Sequence, residues 1–588
     1  MIKTEKSNNA AKRIFFLNLF IVLLFTKSVR WTTGLTIKKI IVIVFFYLFL
    51  LVIIPFIVKN SKTLSKKINE FFEWFYNGLT YCHNNWKSII IKAFVYVLSA
   101  IVCYALSQAY AVLRSQNYSY FVTYLLIGLS YIAISTFYLR KSISAKPERL
   151  FLCVLMISGI TYTCAMPASV GITWDDQIHY ERIVSLADFA DNTSYKAELD
   201  VYNTIADRTL NDKKLNREDN AAFSEELNRS YKADETVDLL ADYGIYSIAY
   251  IPYAAGIILG RALSMPFTWQ LLLGKIVNLL FYGTVVSLAM KKLKSGKLLM
   301  AVIALFPTMI LLTANYSYDS WVLCFAIYGF ASFFGMLQNK NEKVTKCEIT
   351  MMLLAFILGC LPKAIYFIMM LPLFFLPKNR FSDSKKYHKY LILVLCSGLL
   401  LAGSFVLPML VNGAGSGDAR GGADVNSTEQ IKFILSNPIG YIAILMNFMK
   451  DYLNLNQVNG YIQSFAYLGD GIFKSSSLLV VGFVALLDKD GNNHTNKLIR
   501  FSSLIGCFMA LCLAATALYI SFTPVGENTI AGCQVRYIVP VLFPILYMIT
   551  PDSIVNNLKK NLYYTLPIIY MATIFMIDWV LLVNEFAI

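Results

Sequence analysis

Apolar residues in this chain fall in long unbroken runs, separated by short polar breaks that carry lysine. The first runs are Ile14–Phe25, Ile40–Val58, Ser88–Leu113, Ser119–Leu139 and Leu150–Ala168. A long polar stretch follows. Then come Leu271–Met290, Leu298–Ala314, Asp319–Leu337, Met351–Leu361, Ala364–Leu376 and Leu391–Val411. The last group is Ser475–Leu487, Leu498–Phe522, Tyr537–Thr550 and Leu562–Val583. One membrane span uses about 20 apolar residues, and several runs reach that length. The pattern predicts an all-α, polytopic integral membrane helical bundle, with a helical exterior loop after the fifth span. No repeat period is visible. Lys3, Lys6, Lys12 and Arg13 ahead of Ile14–Phe25 imitate a signal peptide, but no small-residue cleavage site follows, so the run reads as an uncleaved anchor.

Composition sharpens this picture. Of 588 residues, 57% are hydrophobic and 15% charged, against about 25% charged in soluble domains. That excludes disorder, a disulfide-stapled secreted domain and an ordinary cytosolic enzyme. The net charge is +16, yet Gly171–Gly244 holds 17 acidic and 8 basic residues. The lysines sit in short loops between apolar runs, as the positive-inside rule places them. No basic, aromatic-interleaved surface points to nucleic acid. Eleven cysteines form no Cys-x-x-Cys pair and four histidines are too few for a histidine-rich metal centre.

Charge also sets orientation. The segments Lys59–Lys87, Arg140–Arg149, Lys291–Lys297, Lys340–Lys346 and Lys378–Lys389 are lysine-rich and expected to be cytoplasmic. The acidic segment 171–244 then lies outside, as does Thr26–Lys39, against its own basic bias. Ile245–Leu263 is apolar enough to cross, but crossing would put Lys291–Lys297 outside. It is therefore expected to lie in or dip into the outer interface. The chain divides into N-terminal transmembrane helices 1–149, a catalytic module 150–550 with exterior loops 171–244 and 411–471, and a C-terminal helix 551–588.

That orientation brings several polar positions to one face. Trp174-Asp175-Asp176-Gln177-Ile178-His179-Tyr180 follows an exiting span. On a helix, Asp175 and Asp176 fall four and three residues before His179, on neighbouring parts of one face. Adjacent carboxylates repel, so one is expected to have a raised pKa and to serve as general base; alternatively, either caps the helix N-terminus. Lys275, three residues before Asn278, lies within an apolar run, where a charge faces the protein interior or snorkels to the interface. Asn315-Tyr316-Ser317-Tyr318-Asp319 is a tight exterior connection or a polar turn with an Asp cap. Lys363 stands between two runs too short to cross, at a tip able to sink into a cavity or anchor at the interface. Gln534, Arg536 and Tyr537 open a late span; the guanidinium suits a bidentate phosphate contact or a lipid headgroup. Gly413–Asp424, with Asp418 and Arg420, lacks Gly-Lys-Ser/Thr and reads as a mobile exterior loop rather than a P-loop.

Asp175-Asp176-x-x-His179 after an early span, followed by Tyr250-Ile251-Pro252-Tyr253, resembles polytopic bacterial proteins that carry domain of unknown function 2142. Tyr318-Asp319-Ser320, Lys363 with Tyr366, and Gln534-Val535-Arg536-Tyr537 with Pro540 look similar too. The likeness covers roughly residues 150–550. That family is similar to GT-C glycosyltransferases, which use polyprenyl-phosphate sugars. The resemblance implies that Asp175 or Asp176 acts as base, that Lys363 and Arg536 hold the donor phosphate, and that Lys275 can assist. His179 would orient the base or the acceptor. Two positions depart from the pattern: Asp176 stands where Glu is expected, and Lys275 where Arg is usual. The implied protein is a bacterial plasma-membrane glycosyltransferase. It would move a sugar from a polyprenyl-phosphate donor to a cell-surface glycan acceptor at the outer leaflet of the lipid bilayer. No cofactor is required; a divalent metal on Asp175, Asp176 and His179 is conceivable but not favoured. The alternatives are a surface-polysaccharide polymerase or ligase, and a lipid-linked sugar flippase or transporter. A carrier is expected to show inverted repeats and midplane charges; this chain shows no repeat and few such charges.

Overall fold

The computed structural model describes residues 2–584, apart from 30–36, 116–117, 168–170, 189–192, 208–216, 234, 239–244, 340, 413–417, 419–420, 423, 489–495, 551–553 and 555. Among the described residues, eleven helices are long and apolar enough to cross a membrane. Ser7–Ser28, Ile40–Asn60, Trp86–Arg114, Tyr120–Leu139 and Pro147–Ala165 precede the acidic segment. Phe267–Met290, Asp319–Gln338, Lys346–Phe375, Ser384–Leu407, Lys497–Ser521 and Lys560–Val583 follow it. The chain is an all-α polytopic bundle. Between the second and third spans lies Lys62–Asn84, capped by the Ser61 hydroxyl on the Leu64 amide. Arg420, most of Gly413–Asp424 and half of Thr26–Lys39 fall outside the described residues.

Apolar runs with prolines depart most from the sequence pattern. Leu298–Ala314 divides into Lys297–Ala304 and Pro307–Thr313, because Phe306 ahead of Pro307 is pushed to an extended conformation. Both pieces are buried except for Lys297. Lys346–Phe375 is long enough to cross as one run, yet it is a hairpin. Lys346–Cys360 is α-helical. Leu361–Phe375 winds as a 3-10 helix, with Lys363 in non-helical φ/ψ at its start. The two ends return to one place: the Val344 amide donates to the Arg380 carbonyl at 2.9 Å, and Arg380 donates to carbonyls of Met336, Asn339 and Glu342. Lys363 is therefore carried at the closed tip.

Ile245–Leu263, expected to stay at one interface, does not form one long α-helix. It forms a 3-10 turn, Ile245–Tyr250, and one α-helix, Ile251–Ala262. Twelve helical residues extend about 18 Å, well short of a hydrocarbon core of about 30 Å. The helix folds back on Phe267–Met290. A Cβ on Gly256 would lie 2.6 Å from the Gly274 Cα, so the backbones touch there as small residues allow in membrane helices.

The acidic segment is helical as expected, with helices Asp176–Ala187, Lys196–Ala206 and Arg217–Lys232. A two-stranded antiparallel ribbon joins it, pairing Thr193 with Asp238 and Tyr195 with Thr236. Arg261 locks it to the bundle through Asp188 at 2.5 Å and Glu198 at 3.1 Å. Val411–Gly471, expected to be an exterior loop, holds helices of its own. It contains Ser427–Ser436, Pro438–Tyr452 and Leu455–Gln463, and the first two are bent by 108°. Asn426 and Asn437 cap them with side-chain oxygens on backbone amides, and Pro438 occupies a first helical turn.

Contacts sort the connections into two ends. At one, Ser144 bonds Asn561, Gly296 bonds Asp488, and Gln338 bonds both Ser295 and Tyr547. The segments expected to be cytoplasmic meet there. At the other end, Tyr467 bonds Ile172, and Tyr253 bonds Asn315. Phe25 and Val29, closing the first span, pack with Ile258 at this second end.

Candidate active site

At that second end, four charged side chains form a string. Pro147–Ala165 delivers the chain to Trp174, and Asp175 follows in the left-handed region, φ 60°. A non-glycine residue held there marks strain. It turns the carboxylate away from the N-terminus of Asp176–Ala187, where Asp175 makes no side-chain cap. Asp175 Oδ2 instead accepts from Arg536 Nη2 at 3.1 Å. Arg536 Nε lies 3.3 Å from Asp319 Oδ2, at an angle that makes this an ion pair rather than a hydrogen bond. Asp319 Oδ1 accepts from Lys363 Nζ at 2.9 Å. Arg536 is 2% exposed and Lys363 and Asp319 are buried, whereas the Asp175 side chain is 24% exposed.

Aromatic rings wall the string. Lys363 Nζ sits 3.9 Å from the Tyr537 ring and 4.9 Å from the Tyr318 ring. The Arg536 guanidinium lies 5.3 Å from the Trp174 ring, and Nη1 donates to the Trp174 carbonyl. Such faces stabilise cations that have lost water. Tyr366 donates to the Tyr537 carbonyl at 2.7 Å, tying the hairpin tip to the Arg536 turn. The Ser317 hydroxyl donates to Asp319 Oδ2 at 3.0 Å.

Asp176 does something different. Its Oδ2 accepts from the Ile172 and Thr173 amides at 2.8 and 3.0 Å, closing the loop that leads into its helix. The two adjacent acids thus have separate donors. His179 Nδ1 lies 2.7 Å from the Tyr250 hydroxyl, and its ring meets Tyr318 edge-on at 4.9 Å. Burial, with Arg536 nearby, pushes the imidazole down to about 3, so it is neutral. Burial likewise raises the Tyr250 phenol, with Arg182 bonded to it. Tyr250 then donates to Nδ1 and leaves Nε2 as the protonated nitrogen. Nε2 is buried and meets no acceptor among the described residues. Asp175, Asp176 and His179 do not form a group able to hold a metal.

Lys275 stands apart from the string. It is 3% exposed, with Nζ 4.4 Å from the Tyr316 ring. Gln534 contributes a backbone carbonyl to Tyr452, and its side-chain carbonyl meets no donor among the described residues. Two contributors escape sequence reasoning: the Arg261 lock, and Asp319 as the bridge between both cations. Asp319 had a signal, an acid at the start of a fully apolar run, but an ordinary helix cap gives the same signal.

A family model described as Predicted membrane protein (DUF2142) matches residues 156–545. No curated protein and no solved structure matches the chain. The family match runs from within the fifth span past Tyr537, taking in every residue of the string and more than half of the chain. The chain belongs to the DUF2142 family of membrane proteins.

Proposed function

We propose that the protein is a GT-C-type glycosyltransferase that moves a sugar from a polyprenyl-phosphate donor to a surface-glycan acceptor at the outer leaflet of a bacterial plasma membrane. The observation that carries this reading is the Asp175 carboxylate. It is one-quarter exposed and joined through Arg536 and Asp319 to Lys363. A lipid-phosphate reaction needs a base open to water and cations for the phosphate, and in this reading Asp175 serves as the first and Arg536 and Lys363 as the second.

The acceptor hydroxyl gives its proton to Asp175, and its oxygen forms a bond to the anomeric carbon. The bond from that carbon to the phosphate oxygen breaks, and the electron pair leaves with the lipid phosphate. Arg536 and Lys363 offset the charge that develops there. Asp319 holds the two cations at a fixed separation. The entering phosphate competes with Asp175 for Arg536, which frees the base when donor is present. His179 Nε2–H is available to an acceptor oxygen.

Asp175→Asn is expected to lower transfer by about 10²–10⁴-fold, the usual worth of a positioned base. The measurement is release of polyprenyl phosphate from a labelled lipid-linked sugar in membranes, with protein level checked in the same preparation. Asp175→Glu should retain part of the rate. Unchanged release in Asp175→Asn membranes refutes the proposal.

A further inference from the structure

Lys275 lines a cavity of about 350 Å³ separate from the charged string. Its walls come from the end of Pro147–Ala165, the exterior helix Arg217–Lys232 and the first turns of Phe267–Met290. Leu227, Trp269 and Leu272 are apolar wall; Thr163 and Thr268 bring hydroxyls. Trp269 is 56% exposed, so the cavity opens beside a residue typical of the headgroup level. The Lys275 ammonium has no hydrogen bond or ion pair among the described residues. Asp176 acts on it through space, but two backbone amides already occupy one of that acid's oxygens. Beyond that acid, which makes no direct contact with it, a cation buried in a span and facing a cavity with apolar walls and hydroxyl groups can take an anion of its own.

We propose that this cavity binds the phosphodiester headgroup of an anionic membrane lipid, which enters sideways with its chains along Trp269 and Leu272. Lys275 Nζ would donate to a phosphate oxygen, and the Tyr316 ring would hold the ammonium on its opposite side. The inference is independent of sugar transfer, since it concerns a different cation and a different opening. Apolar walls and the exposed tryptophan favour a lipid over a free anion.

The test uses the purified full chain in nanodiscs of phosphatidylcholine doped with phosphatidylglycerol, with brominated chains on one lipid at a time. Brominated phosphatidylglycerol should quench tryptophan emission more than brominated phosphatidylcholine at equal mole fraction. Trp269→Phe should remove that selective part. Lys275→Gln should need about tenfold more phosphatidylglycerol for half effect, the worth of one charge-assisted hydrogen bond, and Lys275→Arg should restore it. Cys164→Phe, which fills the cavity and keeps the lysine, guards against a folding defect and should also abolish selectivity. Equal quenching by both lipids, or selectivity unchanged in both Lys275→Gln and Cys164→Phe, overturns the site. Relief of quenching by inorganic phosphate at concentrations matching the lipid overturns the lipid assignment in favour of a free anion.

Discussion

His179 shows how burial sets the behaviour of a single side chain. Its folded pKa lies near 3, below the unfolded value of about 6.5. The stability contributed by its neutral form is complete above the unfolded pKa. It is lost as pH falls from there towards 3, because the unfolded chain takes up the proton first. Stability in detergent should therefore fall between pH 7 and pH 5 by up to about 1.4 kcal/mol per pH unit, and the unfolding temperature should drop with it. His179→Asn should drop less over that range; equal slopes would show that His179 is not held neutral. At this scale the sequence marks single charged residues but not how they pair. Asp175, Lys363 and Arg536 stand out because each is a charge beside apolar runs. The division of labour between Asp175 and Asp176 was illegible, since it depends on one left-handed backbone angle and two amides upstream. The Tyr250–His179 bond spans 71 residues of chain, and spacing says nothing about it.

Among elements, the tightest fit joins Ile251–Ala262 to Phe267–Met290. Gly256→Val should cost about 1–3 kcal/mol, because the atoms in its way are backbone and cannot swing aside. Thermal unfolding in detergent would register the loss, and a wild-type transition would contradict that close approach. Elements were legible where hydropathy alone decides, as in Tyr120–Leu139 and Lys497–Ser521. They were not where proline intervenes: Pro307 breaks a run that reads as continuous. Val411–Gly471 read as a loop because its glycine-rich opening hides two capped helices behind it. Lys363 was legible as a tip because both flanking runs are short. The 3-10 winding of one leg was not, although it explains the reach. At about 2.0 Å per residue, against 1.5 Å in an α-helix, a 3-10 leg spans more depth with fewer residues.

Across the whole molecule, charge in the loops predicts which segments gather at each end, and the contacts gather them that way. Reporter fusions at residue 293 and residue 343 should therefore report one compartment, and fusions at residue 225 and residue 470 the other. A fusion at residue 293 that reports the same compartment as the fusion at residue 225 would refute the placement of Ile251–Ala262 at one interface. The spans are also unequal. Trp86–Arg114 is buried over 6% of its most apolar stretch, and Asp319–Gln338 over 94%. The apolar runs alone could not rank them, because hydrocarbon and protein interior select the same side chains.

The string Asp175–Arg536–Asp319–Lys363 alternates in sign and sums to zero. Removing any one member leaves an odd charge stranded among rings and apolar helices, where no counterion from solution reaches it easily. An evolving lineage therefore has little freedom to change these positions one at a time. Across kindred proteins, acids and cations of this string should be exchanged or abandoned in matched couples, and a lineage that discards Lys363 should be found to have discarded Asp319 with it.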